Sequence, residues 1–219
     1  MEHKFWLDRW EAQEIGFHQA ESNPWLMRHW ASLGVRESSS VFVPLCGKSL
    51  DMRWIEQRGH PVVGVELSGI AIDAYFFEGG ETVAPETQGA LVRYRGRGTT
   101  IYGGDFFELT AAELRGAEGV FDRGALVALP PEMRGRYADH LLRVVPDGSH
   151  ILLVVLEYDQ AIVSGPPFAV LRAEVESLYG ERCSIERLDE ATVERLPPHM
   201  IARGLTTAVE AAYHLVKRG

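Results

Sequence analysis

Cysteine is scarce in this sequence, and long apolar runs are missing. Cys46 and Cys183 are the only two cysteines among 219 residues, which is too few for a disulfide framework. The longest aliphatic run, 151–156, is far shorter than the roughly 20 residues that a membrane-spanning helix needs. The first ten residues have no apolar signal-peptide core. We therefore expect a cytoplasmic protein with no membrane partner.

Basic residues are also in the minority. Lys and Arg number 22 against 31 Asp and Glu, so the formal net charge is −9. An acidic chain repels phosphate backbones, which argues against a nucleic-acid partner. Apolar residues make up 46% of the chain and charged residues 24%, as in ordinary globular domains. No linker-like or repeated segment divides the chain, so we expect one domain over 1–219, and we expect it to be a monomer.

The motifs of several enzyme classes are absent. No Gly-x-Ser-x-Gly sequence is present, which argues against an α/β-hydrolase nucleophile. Neither His-Glu-x-x-His nor Cys-x-x-Cys occurs, so we expect no metal site. Cys46 could be a nucleophile, but its place in a loop after a buried strand favours packing against a ligand.

Strand-like and helix-like segments alternate along most of the chain. Asn23-Pro24, Ser49 and Ser68 are typical N-caps of helices. The helix that Ser49 caps should end near Gly59, and the helix that Ser68 caps should end near Gly79. The sequence predicts strands at 41–45, 61–66, 119–122 and 150–156, a hairpin of 91–94 with 99–102, further helices at 131–145 and 169–179, and closing strands at 184–188 and 206–216. The segment 208–212 could also be helical. Such alternation predicts an α/β fold with a mostly parallel sheet and helices on both faces.

The loop after the first strand indicates which ligand the sheet binds. Parallel strands bring their carboxyl ends to one edge, where ligands of such sheets bind. Glu66 ends the second strand, 19 residues after Gly47, where a carboxylate can accept hydrogen bonds from ribose hydroxyls. It could equally cap the helix at Ser68. The loop Pro44-Leu-Cys-Gly-Lys-Ser49 has one glycine, which argues against dinucleotides, and Phe42 stands where a phosphate loop needs glycine. A nucleoside without phosphates, such as S-adenosylmethionine, fits these constraints.

Several separate motifs resemble those of the thiopurine S-methyltransferase family. They are, in order, Gly16-Phe-His-Gln19, Pro44-Leu-Cys-Gly-Lys48, Phe121-Asp-Arg-Gly-Ala-Leu126 and Gly165-Pro-Pro-Phe168. The resemblance extends from about residue 5 to the C-terminus. It implies a seven-stranded, Rossmann-like sheet of the class I methyltransferase type, with residues 1–33 as a helical lid over the site. It also implies S-adenosylmethionine as methyl donor and a small thiol, such as a thiopurine, as acceptor.

The resemblance carries over to individual residues. It implies that the donor contacts Trp10, Leu45, Glu66, Asp105, Phe106 and Arg123, and that the acceptor contacts Phe17, Arg123, Pro166, Pro167 and Phe168. Arg123 follows a buried strand and so needs a charge partner, for which Asp105, Glu157 and the substrate are the candidates. We expect Arg123 to stabilise the thiolate or thione form of the acceptor, directly or through water.

Two alternatives stay open at this point. A selenium or tellurium species could be the acceptor on the same scaffold, because these soft nucleophiles need the same geometry as sulfur. A non-catalytic module that binds a nucleoside would keep Glu66 and the sheet but would need no acceptor pocket.

Overall fold

A nine-stranded sheet forms the centre of the computed structural model, which describes residues 3–219. The strands run in the order β3-β4-β5-β2-β1-β6-β7-β9-β8. Their bounds are β1 Ser40–Val43, β2 Val62–Glu66, β3 Pro85–Gln88, β4 Leu91–Arg95, β5 Thr99–Gly103, β6 Ala117–Arg123, β7 His150–Glu157, β8 Cys183–Thr192 and β9 Val209–Lys217. The α/β class with a large sheet is thus confirmed.

The strand count and the degree of parallel pairing differ from the sequence prediction. Seven strands were expected, and β3 and β4 extend this set at one edge. Only the five central strands pair in parallel; four pairings are parallel and four are antiparallel. The hairpin of β4 with β5 was predicted, but β3 was not. Its residues are mostly exposed, so they show no apolar alternation that could reveal a strand.

Seven α-helices cover the sheet within residues 3–219. They are α1 His3–Glu11, α2 Pro24–His29, α3 Leu50–Glu56, α4 Gly69–Glu78, α5 Pro131–Val144, α6 Arg172–Tyr179 and α7 Pro198–Ile201. The three predicted N-caps are confirmed, because the side chains of Asn23, Ser49 and Ser68 each accept hydrogen bonds from the backbone of the first helical turn. None of the helices among these residues has the length and apolar character to cross a membrane.

Two apolar clusters lie on opposite faces of the sheet. One face packs against α5 and α6, with Leu141 and Val175 fully buried. The other packs against α2, α3 and α4, with Leu26, Ile55 and Ile72 fully buried. This arrangement confirms the prediction of helices on both faces, and it leaves the strand ends as the accessible edge.

Three boundaries shift for local reasons. The first strand ends at Val43 rather than at residue 45, because Leu45 has a φ of 45°, a left-handed conformation that no strand contains. Helix α6 begins at Arg172 rather than at residue 169, because Val170 still donates a backbone hydrogen bond to Leu156 of β7. The ambiguous segment 208–212 enters a strand, since β9 pairs along its length with both β7 and β8.

Buried polar groups tie α5 to the sheet. Asp122 of β6 is fully buried, and its carboxylate accepts a hydrogen bond of 2.7 Å from the Tyr137 hydroxyl and one of 3.3 Å from the backbone N–H of Leu126. Burial raises the pKa of Asp122 to about 6, although these hydrogen bonds lower it in part. The ionised carboxylate therefore destabilises the folded chain at neutral pH relative to the protonated one.

We expect Asp122→Asn to change how stability depends on pH. A carboxyl whose folded pKa is raised favours folding below its unfolded pKa, and this contribution is lost as pH rises through about 6. The wild type should therefore lose about 2 kcal/mol of unfolding free energy relative to Asp122→Asn between mildly acidic and mildly alkaline pH. Urea titrations of both proteins over this range measure the difference. Parallel pH profiles would contradict the assignment.

Candidate active site at the sheet edge

The loop after β1 has a backbone that few residues can adopt. Leu45 and Gly47 have φ values of 45° and 52°, so the chain turns sharply between the strand and Ser49. A Cβ on Gly47 would lie 3.2 Å from Cζ2 of Trp10, and one on Gly64 of β2 would lie only 2.7 Å from Sγ of Cys46. Glycine at these two positions lets the Trp10 ring and the Cys46 thiol pack against backbone.

Glu66 holds this loop from the end of β2. One carboxylate oxygen accepts a hydrogen bond of 2.8 Å from the backbone N–H of Gly47, and the other accepts one of 2.8 Å from Ser68. Burial raises the pKa of Glu66, and the backbone hydrogen bonds lower it in part. Each carboxylate oxygen keeps a second lone pair, so ribose hydroxyls could donate to it as well. The helix-capping role and the ligand-binding role are therefore compatible.

The Cys46 thiol is buried beside this carboxylate. Its desolvation, followed by the negative charge of Glu66, holds the pKa of Cys46 well above its usual value. A thiol in this setting stays protonated and is a poor nucleophile. Its contact with Gly64 is that of a packing residue, and packing of Cys46 against a ligand stays a prediction.

The N-terminal segment lies against the same loop. Trp10 is buried, and Phe17 lies beside it with ring centroids 5.6 Å apart, although Phe17 itself is 42% exposed. Further along, the backbone N–H of Asn23 donates a hydrogen bond of 2.6 Å to Asp51. The Asp51 carboxylate also accepts a hydrogen bond of 2.9 Å from the Ser49 hydroxyl. The N-terminal segment is thus attached at two places to the loop of residues 44–49, which we call the glycine loop: Trp10 packs on Gly47, and Asn23 binds Asp51, which in turn binds Ser49.

Arg123 ends β6 and forms no ion pair with any of residues 3–219. Neither expected protein partner pairs with it: Glu157 accepts from Arg187 and from the Tyr213 hydroxyl, and Asp105 lies 3.3 Å from His3. Those two sequence predictions are wrong, because both carboxylates are engaged elsewhere. Burial lowers the pKa of Arg123, and the negative charges of Asp51 and Glu210 oppose this change.

Asp105 and Phe106 form a turn after β5. The Asp105 side chain accepts a hydrogen bond of 3.0 Å from the backbone N–H of Phe107 and so caps a short 3₁₀ helix. The Phe106 ring points away from the edge and lies in the core, with its centroid 5.0 Å from Tyr137 and 4.9 Å from His140. Only the backbone of Phe106 can therefore face a ligand at this edge.

The Gly165-Pro-Pro-Phe168 segment is held next to the loop that follows Arg123. The backbone N–H of Phe168 donates a hydrogen bond of 2.7 Å to Val127, and the Tyr158 hydroxyl donates one of 2.6 Å to the carbonyl of Pro167. Pro166, Pro167 and Phe168 are all half-buried. The structure thus connects Phe168 to the loop after β6 and Pro167 to Tyr158, which follows β7.

Three polar residues near Arg123 are not among those predicted from the sequence. Asp51 and Glu210 provide negative charge there, and His18 is half-buried with a pKa lowered by burial and by the positive charges of Lys48 and Arg123. The sequence does contain a signal for His18, which follows Phe17 in a motif already singled out. No local signal places Asp51 or Glu210, because their contacts join distant parts of the chain.

Comparisons with known proteins identify the family. The family model described as thiopurine S-methyltransferase matches residues 1–218. Curated proteins with that name from Nitrosospira multiformis and Azotobacter vinelandii are 44% and 45% identical over 218 residues, covering 100% of this chain and 99% and 100% of those proteins.

Solved structures show the same fold at low sequence identity. An S-adenosylmethionine-dependent methyltransferase from Anabaena variabilis matches with a TM-score of 0.65 and 12% identity, covering 99% of this chain and 95% of that one. The N-methyltransferase NodS from Bradyrhizobium japonicum, in complex with S-adenosylhomocysteine, matches with a TM-score of 0.62 and 10% identity, over 95% and 97% of the two chains. Fold, edge geometry and full-length sequence similarity agree, and the chain belongs to the thiopurine S-methyltransferase family.

Proposed function

We propose that this chain transfers a methyl group from S-adenosylmethionine to the sulfur of a thiopurine or another small aromatic or heterocyclic thiol. The observation that carries the proposal is the position of Glu66. Its carboxylate ends β2, binds the glycine loop through Gly47 and keeps free lone pairs at the edge where nucleosides bind to such sheets. Membership of the family supplies the reaction class.

The residues around Glu66 suggest how the donor is held. Glu66 accepts hydrogen bonds from the ribose, and the left-handed turn at Leu45 lets loop backbone approach the ligand. Trp10 presents an aromatic ring next to Gly47, and a sulfonium over such a ring gains about 0.5–2 kcal/mol. Asp105 and the backbone of Phe106 lie in the turn after the neighbouring strand β5 and form the adenine side.

The residues on the other side suggest an acceptor pocket. Arg123 provides a guanidinium with no ion pair among residues 3–219, as is suited to an anionic sulfur. Phe17 provides an exposed aromatic surface for a flat ring. Pro166, Pro167 and Phe168 form an apolar wall that Val127 and Tyr158 hold in place.

The chemistry asks little of the protein beyond alignment and charge. A thiolate is a strong nucleophile, and a sulfonium supplies an electrophilic methyl group when the donor is bound. Arg123 stabilises the deprotonated acceptor, and the apolar wall and N-terminal segment exclude water, so that nucleophile and methyl group meet in line. In this proposal residues 1–33 are a lid of a single domain, and the first two of them lie outside the described residues.

Finer aspects of the function remain part of the proposal. Free, buried thiols at Cys46 and Cys183 suit a reducing cytoplasm. A monomer that binds no nucleic acid is still our expectation. Selenium or tellurium acceptors, and a nucleoside-binding module without catalysis, are the alternatives that the acceptor assay below separates from thiol methylation.

The acceptor assay uses a radiolabelled methyl donor with thiopurines, other aromatic thiols and selenite-derived species. We expect transfer to the thiols, and we expect Arg123→Ala to lower kcat at saturating donor about tenfold or more, because a charge-assisted contact to the thiolate is lost. Arg93→Ala, which removes an arginine paired with Glu86 on the hairpin, is the matched control. Unchanged turnover in Arg123→Ala would refute its role, and donor binding without any methylated product would favour the non-catalytic module.

A second prediction concerns the donor. Glu66→Gln replaces one acceptor oxygen with an N–H₂ group, so the variant should bind S-adenosylhomocysteine about tenfold or more weakly. Calorimetric titration measures this affinity, and the melting temperature checks that the variant is folded. Glu186→Gln, an exposed change of the same kind on β8, should bind as the wild type does. A Glu66→Gln protein with wild-type affinity would contradict the ribose contact.

A third prediction concerns the lid. Hydrogen exchange of residues 5–33 should slow when S-adenosylhomocysteine is bound, because the ligand adds contacts beneath Trp10 and Phe17. The outer hairpin of β3 and β4 is the internal control, and its exchange should not change. Equal protection of residues 5–33 with and without the ligand would argue against a lid.

A further inference from the structure

A groove of about 440 Å³ lies on the outer surface of α5, where the helix meets the 3₁₀ helix Phe106–Glu108. None of the residues assigned above to donor or acceptor lines it. Its lining residues are Phe107, Gly135, Arg136, Asp139, His140 and Arg143. Nothing in the proposed methyl transfer uses this groove.

Two arginines that form no ion pair within the described part of the chain line the groove. Arg136, His140 and Arg143 are spaced four and three residues apart, so they share one face of α5. The Arg136 guanidinium lies over the Phe107 ring at 3.7 Å, and neither Arg136 nor Arg143 forms an ion pair or hydrogen bond with any of residues 3–219. Their donor groups are therefore available to a ligand.

His140 is a buried polar residue in the groove lining. The residue is 7% exposed, and its Nε2 atom is buried without a hydrogen bond to any of the described residues. Desolvation, followed by the positive charge of Arg143, lowers the pKa of His140. An anion in the groove would offset that positive charge.

The single carboxylate in the lining does not neutralise the groove. Asp139 is paired with Arg182, outside the groove lining. A local positive field on a chain of net charge −9 therefore rests on Arg136 and Arg143. Guanidinium groups form pairs of parallel hydrogen bonds with phosphate oxygens, and a phosphate has enough oxygens to accept from both arginines at once.

We propose that this groove binds a phosphate group. Arg136 and Arg143 donate to the phosphate oxygens, and the imidazole of His140 is part of the lining. The volume of about 440 Å³ exceeds that of inorganic phosphate, so there is room for the small organic part of a phosphate monoester. Free phosphate and a phosphate monoester share the chemistry that the groove recognises.

The test follows the ring resonances of His140 by NMR while sodium phosphate is added to the full chain. We expect a saturable shift. Arg136→Gln and Arg143→Gln should each weaken the apparent affinity about tenfold, because a charge-assisted contact is lost. Arg195→Gln removes an exposed arginine outside the groove, and this control should bind as the wild type does.

Further arms separate specific binding from ionic strength and identify the source of the phosphate. Sodium chloride at matched ionic strength should leave the His140 resonances in place. Ribose 5-phosphate binding more tightly than inorganic phosphate would identify a monoester as the ligand, and the reverse order would identify free phosphate. A shift that does not saturate, that chloride reproduces, or that survives both groove substitutions would overturn the proposal. None of these readouts depends on methyl transfer.

Discussion

The hydrogen bonds of one buried carboxylate to two loops hold the edge of this sheet together. Glu66 binds the backbone of Gly47 after β1 and of Ser68 at the start of α4, so the ends of two neighbouring strands are held by one side chain. Because the carboxylate has been removed from water, its hydrogen bonds are strong and costly to lose. The sharp turn at Leu45 and Gly47 is attached to Glu66 in this way, and the proposed donor contacts Trp10, Leu45 and Glu66 lie around that turn.

The N-terminal segment completes the site in a different way. It contributes aromatic surface through Trp10 and Phe17, and it is held by contacts between residues that are far apart in the chain. The Trp25 indole N–H donates a hydrogen bond of 2.9 Å to Glu210 of β9, and Asn23 donates to Asp51 of α3. The N-terminal segment thus has its own attachments, separate from the hydrogen bonds that hold the loop after β1.

The fold was largely predictable because local signals and burial agree along the chain. Caps at Asn23, Ser49 and Ser68 mark helix starts, and unbroken apolar runs mark the central strands. The edge strand β3 was not predicted, because three of its four residues are exposed and the fourth is only half-buried. The site was predictable only in part. The distance of Glu66 from Gly47 along the sequence indicates its position. The partners of Arg123 could not be predicted in this way, because they depend on which carboxylates already bind other residues. Glu157, for example, accepts hydrogen bonds from Arg187 and Tyr213.

The two carboxylates whose negative charge acts on Arg123 are the same two that accept hydrogen bonds from the N-terminal segment. Asp51 binds Asn23, Glu210 binds Trp25, and both act on the Arg123 guanidinium. The attachment of the N-terminal segment and the charge balance around Arg123 therefore depend on the same two side chains. Loss of either carboxylate would remove one hydrogen bond to the segment and one negative charge that acts on the guanidinium.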